Sequence, residues 1–395
     1  MARLRIAMLT YSTHPRGGVI HAMELSEALD QLGHEICLFA LDKGGQAFCR
    51  PLKCAWQLVP TQPAPPGTEK LIQQRIQDYV EFFRDYPHAF DIYHAQDCIS
   101  ANALVRLRQE DPQNPITKGW IVRTVHHLDP FTSPFLQECQ RRSVQEVDHC
   151  FCVSRGGQEQ LLREYGRSST RIWNGICRER FQDCDPQRVD EIKLKYGLCG
   201  TPLYLTVGGI EPRKNSIRLL QAFHQVLAAD PQAQLVIAGG MTLFDYAAYR
   251  EQFFTTCEEL RIQLGQSLIL PGVVSDAELL ALYHAADGFV FPSIQEGWGL
   301  VVMEAMAAGL PILTSGIEPF TEFLTSNQAL LVDPADVSAL SEAMRKLIVP
   351  EVAGSLISRH QEVIHRYTWE QSAQRHQQQY HALQSRSHVK EMHHA

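Results

Sequence analysis

Short apolar segments alternate with helical patterns along almost the whole chain, and this alternation starts twice. In the first half, Arg5–Thr10 has the pattern of a buried strand, and Val19–Leu32 follows it with apolar residues near helical spacing. Gly33 ends that helix, and Glu35–Leu41 is the next predicted strand. Strands that alternate with helices indicate βαβ units, in which helices cover both faces of a parallel sheet.

The second half repeats the pattern after a break in composition at Phe181–Gln187. Its predicted strands are Leu203–Val207, Gln234–Ala238, Leu268–Leu270, Phe289–Phe291 and Ile312–Thr314. The predicted fold class is therefore α/β, with two Rossmann-like, doubly wound parallel-sheet domains in tandem. Because ligands of open α/β sheets bind outside the carboxyl ends of the strands, the cleft between the two domains is the expected site.

The break also sets the predicted domain boundaries. The N-terminal domain is expected over residues 1–183 and the C-terminal domain over residues 184–366. Residues 367–385 read as a polar, glutamine-rich helix with few apolar residues, which we expect to pack back on the N-terminal domain. Residues 386–395 are predicted to be a disordered tail.

Composition excludes several classes of protein. The chain has 395 residues, 45% hydrophobic and 20% charged, which is the balance of a globular protein with enough apolar material for two cores. A formal net charge of -8 without a Lys/Arg run argues against nucleic acid as a partner. Neither a transmembrane segment nor a signal peptide is predicted. The 11 cysteines are scattered singly, which suits reduced thiols, so the expected location is the cytoplasm.

The segment Phe291–Pro311 carries the strongest chemical signal. A strand ends there, a turn follows, and a helix of small residues begins. Gly297 and Gly299 let backbone N–H groups approach a ligand, and the helix N-terminus adds partial positive charge. Glu296 in the turn and Glu304 in the helix can face one bound molecule, one accepting hydrogen bonds from sugar hydroxyls and the other from a ribose diol. Taken singly, each acid is more typical of an ordinary loop or helix position.

The two acids, with Pro-Ser before them and Glu-Ala-Met-Ala-Ala-Gly-Leu-Pro from the second acid onward, closely resemble the E-x7-E signature of family 4 (group 1) glycosyltransferases. These are retaining enzymes with the GT-B fold, two Rossmann-like domains facing across a cleft. The resemblance implies an acceptor side on the N-terminal domain and a nucleotide-sugar donor side on the C-terminal domain. It implies donor binding by Glu296, Gly297, Trp298, Gly299, Leu300 and Glu304, with Glu296 also catalytic.

Two N-terminal segments resemble parts of the same family. Gly17 and Gly18, after the first strand, resemble the glycine loop that lies over the donor phosphates, although an ordinary βα turn is an equal alternative. Thr124–Asp129 matches the strand that ends in the catalytic-site histidine, and His126 occupies that position. Adjacent histidines on a strand point to opposite faces, so a metal shared between His126 and His127 is not expected.

A third segment, Asp91–Asp97, is similar to the family's H-A-H-D strand end. Gln96 stands where a histidine is common in the family. The resemblance places His94 and Asp97 near the acceptor.

Val207–Asn215 is the expected grip on the donor phosphates. A strand ends at Val207, and Arg213 and Lys214 stand where the next helix begins. A leaving diphosphate needs such donors. The alternative, a surface Arg-Lys pair without function, is disfavoured because the helix dipole repels cations at a helix start. The family usually has an arginine at the position of Gly209, so we expect Arg213 to take that role and Lys214 that of the family lysine, with Gly209 beside the donor.

Leu270–Leu279 resembles the family's nucleotide-base pocket, in which backbone at Val273 and Val274 meets the base. Ser275 followed three residues later by Glu278 also predicts a capping box. The two interpretations are compatible, because the cap concerns Ser275 and the base contact concerns the backbone before it.

These residues predict a retaining, metal-independent hexosyltransferase that uses a nucleotide diphosphate sugar as co-substrate and has no cofactor. An epimerase of related GT-B fold, a non-catalytic nucleotide-sugar-binding protein and a two-domain protein that binds another small ligand are the alternatives. The base, the sugar, the acceptor, the oligomeric state and docking to a membrane surface stay open at this point.

Overall fold

The computed structural model describes residues 2–45, 47–240 and 246–392, with side chains as far as residue 385. The chain divides into two compact units. Unit 1 comprises Met1–Gly175 and Thr368–Ala395, and unit 2 comprises Ile176–Tyr367. The division falls at residue 175 rather than at the predicted residue 183. The composition break lies inside unit 2, because its first residue, Phe181, is buried and packs against Tyr283 of that unit.

Unit 1 is a seven-stranded parallel sheet with helices between its strands, in the order β3-β2-β1-β4-β5-β6-β7. The strands are β1 (Arg5–Thr10), β2 (Glu35–Leu41), β3 (Ala55–Val59), β4 (Ile92–Ala95), β5 (Trp120–Val125), β6 (His149–Cys152) and β7 (Thr170–Arg171). The helices between them are α1 (Gly17–Gln31), α2 (Thr68–Arg84), α3 (Cys98–Glu110), α4 (Pro134–Gln145) and α5 (Arg155–Tyr165), with a 3-10 turn at Pro115–Lys118.

Unit 2 has a six-stranded sheet in the order β10-β9-β8-β11-β12-β13, also parallel throughout. Its strands are β8 (Leu203–Val207), β9 (Gln234–Ala238), β10 (Leu268–Gly272), β11 (Gly288–Phe291), β12 (Ile312–Ser315) and β13 (Leu330–Val332). Its helices are α6 (Arg178–Phe181), α7 (Pro186–Tyr196), α8 (Ser216–Ala229), α9 (Ala247–Glu259), α10 (Asp276–Ala285), α11 (Leu300–Ala307), α12 (Phe320–Phe323), α13 (Val337–Leu347), α14 (Pro350–Ile357) and α15 (His360–Arg366), with a 3-10 turn at Pro212–Lys214. The predicted pair of Rossmann-like domains is confirmed.

The strands at the centre of each sheet are buried on both faces, which is why their sequences are nearly continuous apolar runs. Along β1 every residue after Arg5 is buried, and β9 is buried along its whole length. Functional polar residues are therefore found just after the strands end. In both units the carboxyl ends of the strands carry the candidate site residues.

The last helix, α16 (Trp369–Met392), belongs to unit 1 and packs against α1. The start of α16 passes very close to Gly175, because a Cβ at Gly175 would lie 2.1 Å from the backbone nitrogen of Trp369. Further along, the Arg375 guanidinium lies 3.7 Å from the centre of the Trp173 ring. The helix runs beyond Ser385, where disorder was predicted, since no glycine or proline interrupts it before Met392. Residues 393–395 of the predicted tail lie outside the described residues.

Among the helices of the described residues, none has the length and apolar character needed to span a bilayer. The 11 cysteines are all free thiols, and those on β6 are fully buried.

Candidate functional site

Three charged side chains meet at the carboxyl ends of β8 and β11 in unit 2. Oε1 of Glu296 accepts hydrogen bonds from Arg213 at 2.9 Å and from Nζ of Lys214 at 2.5 Å. The side chains of Lys214 and Glu296 are only 11% and 10% exposed. Burial alone would raise the pKa of Glu296, but the charges of Lys214 and Arg213 hold that pKa below its ordinary value. Glu296 is therefore an anion that orients two cations.

The loop that carries these cations is tied to the loop after β11. The carbonyl oxygen of Arg213 accepts hydrogen bonds from the backbone of Ile294 at 2.8 Å and from the Ser293 hydroxyl at 2.7 Å. The same hydroxyl lies 3.0 Å from Oε1 of Glu296. On the other side of Arg213, Nε lies 3.0 Å from the buried carboxylate of Glu211. The cluster is thus held by the loop after β8 and the loop after β11.

The lysine occupies a space that a glycine provides. Gly208 has φ +138°, and a Cβ on it would lie 2.7 Å from Cε of Lys214. The ammonium group lies 4.5 Å from the centre of the Phe291 ring, a favourable cation–π arrangement. Any residue other than glycine at position 208 would displace the lysine.

Gly209, which is predicted to lie beside the donor, also allows two loops of unit 2 to approach each other closely. It has φ +75°, and a Cβ there would lie 2.6 Å from the carbonyl oxygen of Gly240. The glycine thus allows the loops after β8 and β9 to touch backbone to backbone. Contact between Gly209 and a donor remains a prediction.

The second acid of the pair, Glu304, is on α11 and is 7% exposed. Its Oε2 accepts a hydrogen bond of 2.8 Å from the buried hydroxyl of Tyr283. Burial and the neighbouring Glu304 carboxylate raise the pKa of Tyr283 well above its ordinary value, so the tyrosine stays a donor. The helix starts after Gly299, whose φ is +104° and whose Cβ, if present, would lie 2.7 Å from Phe320. Gly299 is therefore required by packing at this turn.

Trp298, predicted to bind the donor, has its side chain in the core of unit 2. The residue is 4% exposed, and its ring lies 4.9 Å from Phe323 and 5.4 Å from Tyr367 between ring centres. The indole N–H points to the sulfur of Met303 at 3.0 Å. Donor binding at Trp298 stays a prediction, and we expect it to involve the backbone. Gly297 and Leu300 on either side of it are half-buried.

The predicted base pocket lies in the loop between β10 and α10. The side chain of Val273 is 72% exposed, and Val274 is half-buried. The predicted capping box is confirmed: the Ser275 hydroxyl accepts from the backbone of Glu278 at 3.3 Å, and the Glu278 carboxylate accepts from the backbone of Ser275 at 2.9 Å. This cap fixes the backbone that follows Val274.

In unit 1, His126 follows β5 directly and is in contact with the start of α1. A Cβ on Gly18 would lie 3.3 Å from Cδ2 of His126, so the glycine allows the ring to approach the helix. The His21 ring meets it edge to face, with 4.8 Å between ring centres. Nε2 of His126 is hydrogen-bonded to Oε1 of Gln96 at 3.0 Å. Gly17 precedes this contact and has open space at its Cβ position.

His94 and Asp97, predicted to lie near the acceptor, make hydrogen bonds within unit 1. His94 is fully buried, and its two ring nitrogens are hydrogen-bonded to Tyr380 and Thr124, both at 2.7 Å. The place of His94 near the acceptor stays a prediction, and direct contact through its ring nitrogens would require these two hydrogen bonds to break. Asp97 caps α3 by accepting from the backbone of Ser100 at 2.9 Å, and its other oxygen accepts from the backbone of Tyr11 at 2.9 Å. Its carboxylate is used by the fold.

Four side chains that contact or neighbour these residues were not predicted: Gln96, Tyr283, Tyr11 and Lys43. Tyr11 and Lys43 come directly after β1 and soon after β2, and the Lys43 ammonium lies 4.7 Å from the centre of the Tyr11 ring. Burial lowers the pKa of Lys43 to about 8. The position of Tyr11 and Lys43 after strands of a parallel sheet could have identified them as candidate site residues. Tyr283 had no such sequence signal, since its spacing is that of an apolar helix face.

The fold is shared with solved glycosyltransferase structures. Sucrose-phosphate synthase from Thermosynechococcus elongatus matches with a TM-score of 0.78 at 24% identity, over 97% of this chain and 100% of that chain. Two parallel-sheet domains with this similarity define a protein of the GT-B fold.

Family models cover both units. The model described as glycosyltransferase family 4 matches residues 15–180, and the one described as glycosyl transferases group 1 matches residues 190–360. The chain belongs to the group 1, family 4 glycosyltransferases.

Two curated relatives show how far the sequence similarity extends. O-antigen chain mannosyltransferase B of Escherichia coli is 28% identical over 56% of this chain, and the match spans 59% of that relative's length. Phosphatidyl-myo-inositol mannosyltransferase of Mycolicibacterium smegmatis is 25% identical over 93% of this chain and 90% of its own length.

Proposed function

We propose that this protein is a retaining glycosyltransferase that moves a hexose from a nucleotide diphosphate sugar to an acceptor without a divalent metal. The observation that carries the proposal is the cluster of Arg213, Lys214 and Glu296, in which both cations donate to the same carboxylate oxygen of Glu296. The family membership of both units and the names of the relatives support sugar transfer as the reaction.

The cluster suits a diphosphate for electrostatic reasons. Lys214 and Arg213 supply two positive charges at the end of a sheet, where a leaving diphosphate develops negative charge. Because Glu296 neutralises one of these charges when no ligand is bound, the two cations stay ordered in a largely buried position. A bound diphosphate takes over the cations, and the Glu296 carboxylate then accepts hydrogen bonds from sugar hydroxyls. Glu304 stands next along the same segment and binds the ribose diol.

Retention follows in this proposal from a front-face displacement. The departing phosphate oxygen takes the proton of the acceptor hydroxyl while the sugar passes through an oxocarbenium-like state. The new bond forms on the face that the diphosphate leaves, so the anomeric configuration is kept. The protein contributes position and charge, and His126 at the end of β5 contacts the sugar.

The experiment is a panel of guanosine, uridine and adenosine diphosphate sugars, with mannose donors first because both relatives named above are mannosyltransferases. The donor that binds raises the melting temperature of the protein. Nuclear magnetic resonance then follows that donor in the presence of a panel of glycan, lipid and small-molecule acceptors, with and without EDTA. Release of nucleoside diphosphate with an α-configured product from an α-configured donor supports the proposal.

Each rival gives a different result in the same experiment. Interconversion of the donor sugar without its release identifies an epimerase. A raised melting temperature with a donor that stays unchanged across the whole acceptor panel identifies a non-catalytic nucleotide-sugar-binding protein, and turnover abolished by EDTA contradicts metal independence.

A further inference from the structure

The His126 ring is held by neighbours in unit 1 that leave it little freedom. Gly18 lies against one edge of the ring and His21 meets it at 4.8 Å between ring centres. Nε2 of the ring is hydrogen-bonded to Oε1 of Gln96 at 3.0 Å. Gln96 is 3% exposed, and its backbone nitrogen donates to the Leu9 carbonyl at 2.9 Å, so the glutamine is fixed to the sheet.

The chemistry of Met8 decides which way the Gln96 amide faces. The amide nitrogen Nε2 donates to the sulfur of Met8 at 2.9 Å. A thioether sulfur has no hydrogen and can only accept. With the amide reversed, an acceptor oxygen would face an acceptor sulfur and the hydrogen bond would be lost. The amide oxygen therefore faces His126.

This orientation determines the tautomer of His126. An amide oxygen can only accept, so Nε2 of His126 must carry the proton. Burial lowers the pKa of His126 well below its ordinary value, and the neighbouring His21, His127 and Arg123 lower it further. The ring is then neutral, with a proton on Nε2 and a lone pair on Nδ1.

We propose that Gln96 is a positioning residue that holds His126 in the Nε2–H tautomer, so that Nδ1 accepts a hydrogen bond from a hydroxyl of the transferred sugar. The role of the sugar rests on the proposed function, whereas the tautomer does not. A histidine, which is common in the family at position 96, can donate or accept. Glutamine removes that choice, because the nitrogen of its amide is already committed to Met8.

The tautomer is measured directly by long-range ¹H–¹⁵N correlation spectra of protein labelled at its 17 histidines. The signal of His126 is identified by its loss in His126→Ala. The wild type is expected to show protonated Nε2 and unprotonated Nδ1. Gln96→Leu, which fills much of the same space without an acceptor, is expected to give a mixture of tautomers. A wild-type Nδ1–H tautomer, or an unchanged tautomer in Gln96→Leu, overturns the proposal.

Gln96→Glu gives a second measurement that does not depend on whether Gln96→Leu folds. The carboxylate still accepts from Nε2, so the tautomer stays, but its charge stabilises the imidazolium. The His126 signal is therefore expected to titrate at higher pH than in the wild type. A titration at unchanged pH contradicts the contact between Gln96 and His126.

Kinetics separate this positioning role from a merely structural one. Gln96→Leu is expected to lower kcat about 10-fold with little change in the donor KM, and Gln96→Glu is expected to move the acid limb of the pH–rate profile upward. Gln113→Leu, at an exposed position, is the matched control. Equal kcat in Gln96→Leu and wild type overturns the role of the tautomer in transfer. If the wild type transfers no sugar while the predicted tautomer is observed, the proposed function and the sugar contact fail and the tautomer assignment stands.

Discussion

Lys214 and Glu296 form an ion pair of 2.5 Å at the carboxyl end of the unit 2 sheet, and both side chains are about nine-tenths buried. Two loops supply the pair, one after β8 and one after β11. A buried pair of this kind is a weak contributor to stability, since desolvation offsets the attraction. Its position is better explained by the charge that the site has to receive.

Removing the negative charge of Glu296 separates its two proposed tasks. In Glu296→Gln the cations lose their internal partner, so a nucleoside diphosphate is expected to bind at least as tightly as in the wild type. Turnover is expected to fall about 100-fold or more, because the carboxylate no longer accepts from the sugar at the reaction centre. Calorimetry and donor turnover measure the two effects.

The control for this change is Glu342→Gln, at an exposed position of α13. Weaker diphosphate binding together with normal turnover in Glu296→Gln would reverse the assignment.

Gly208 is expected to be sensitive even to a methyl group. In Gly208→Ala the new Cβ meets Cε of Lys214 at 2.7 Å and the backbone keeps φ +138°. We expect a loss of about 1–3 kcal/mol in the free energy of unfolding and a weakened grip on diphosphate. Urea unfolding checks the first effect. Gly166→Ala, which also has positive φ but no atom within 4 Å of its Cβ position, is the control for strain alone, and an equal loss in both variants would contradict the steric account.

Tyr283 is expected to influence nucleotide binding without touching the sugar. Tyr283→Phe removes the donor to Oε2 of Glu304, and a hydrogen bond to a charged group contributes about 1.5–3 kcal/mol. The Glu304 carboxylate is then less well oriented for the ribose. The dissociation constant of the nucleoside diphosphate is expected to rise about 10-fold on this scale, and an unchanged constant would remove Tyr283 from the site.

Unit 1 is expected to lose stability in mild acid because His21 is buried in neutral form. Burial lowers the pKa of His21 from 6.5 to about 4, and the hydrogen bond with Asn174 only partly opposes this shift. Between these two pH values the unfolded chain binds a proton that the folded protein does not. Stability from this residue is thus fully present above pH 6.5 and falls as the pH is lowered toward 4, by up to about 3 kcal/mol.

Urea unfolding at pH 7 and pH 5 measures that loss. His21→Gln is expected to show a smaller difference between the two pH values than the wild type. His376 lies 6.2 Å from His21 between ring centres, and its pKa is also lowered, to about 3, so part of the acid sensitivity should persist in the variant. A pH dependence identical in both proteins would contradict the assignment to His21.

The parts of the fold that the sequence predicts are those with a local signal. Buried strands such as β1 and β9 are nearly continuous apolar runs. The capping box depends on only two residues, Ser275 and Glu278, at a fixed spacing. The strand β3 escapes prediction because it is an edge strand whose first three residues are exposed. Its sequence therefore lacks the apolar run of a central strand.

The contacts of a candidate site residue cannot be predicted from the sequence where distant segments form them. His94 has the pattern of a strand-end site residue, but its Nδ1 is hydrogen-bonded to Tyr380, which is far away in the sequence. Trp298 lies inside the most informative motif, but its ring packs against Phe323 and Tyr367. Arg213, Lys214 and Glu296 were each predicted as site residues, but their pairing with one another was not. The contact of Lys214 with Gly208 depends on a backbone conformation that the sequence does not specify.

The proposed function requires a diphosphate to bind against Lys214 and its neighbours. Titration calorimetry of the wild type, of Lys214→Ala and of the exposed control Lys346→Ala with the nucleoside diphosphate of the active donor measures this binding. We expect one binding site per chain in the wild type and in the control, and an affinity at least about 10-fold weaker in Lys214→Ala, which corresponds to about 1.4 kcal/mol. Equal affinity in all three proteins would contradict it.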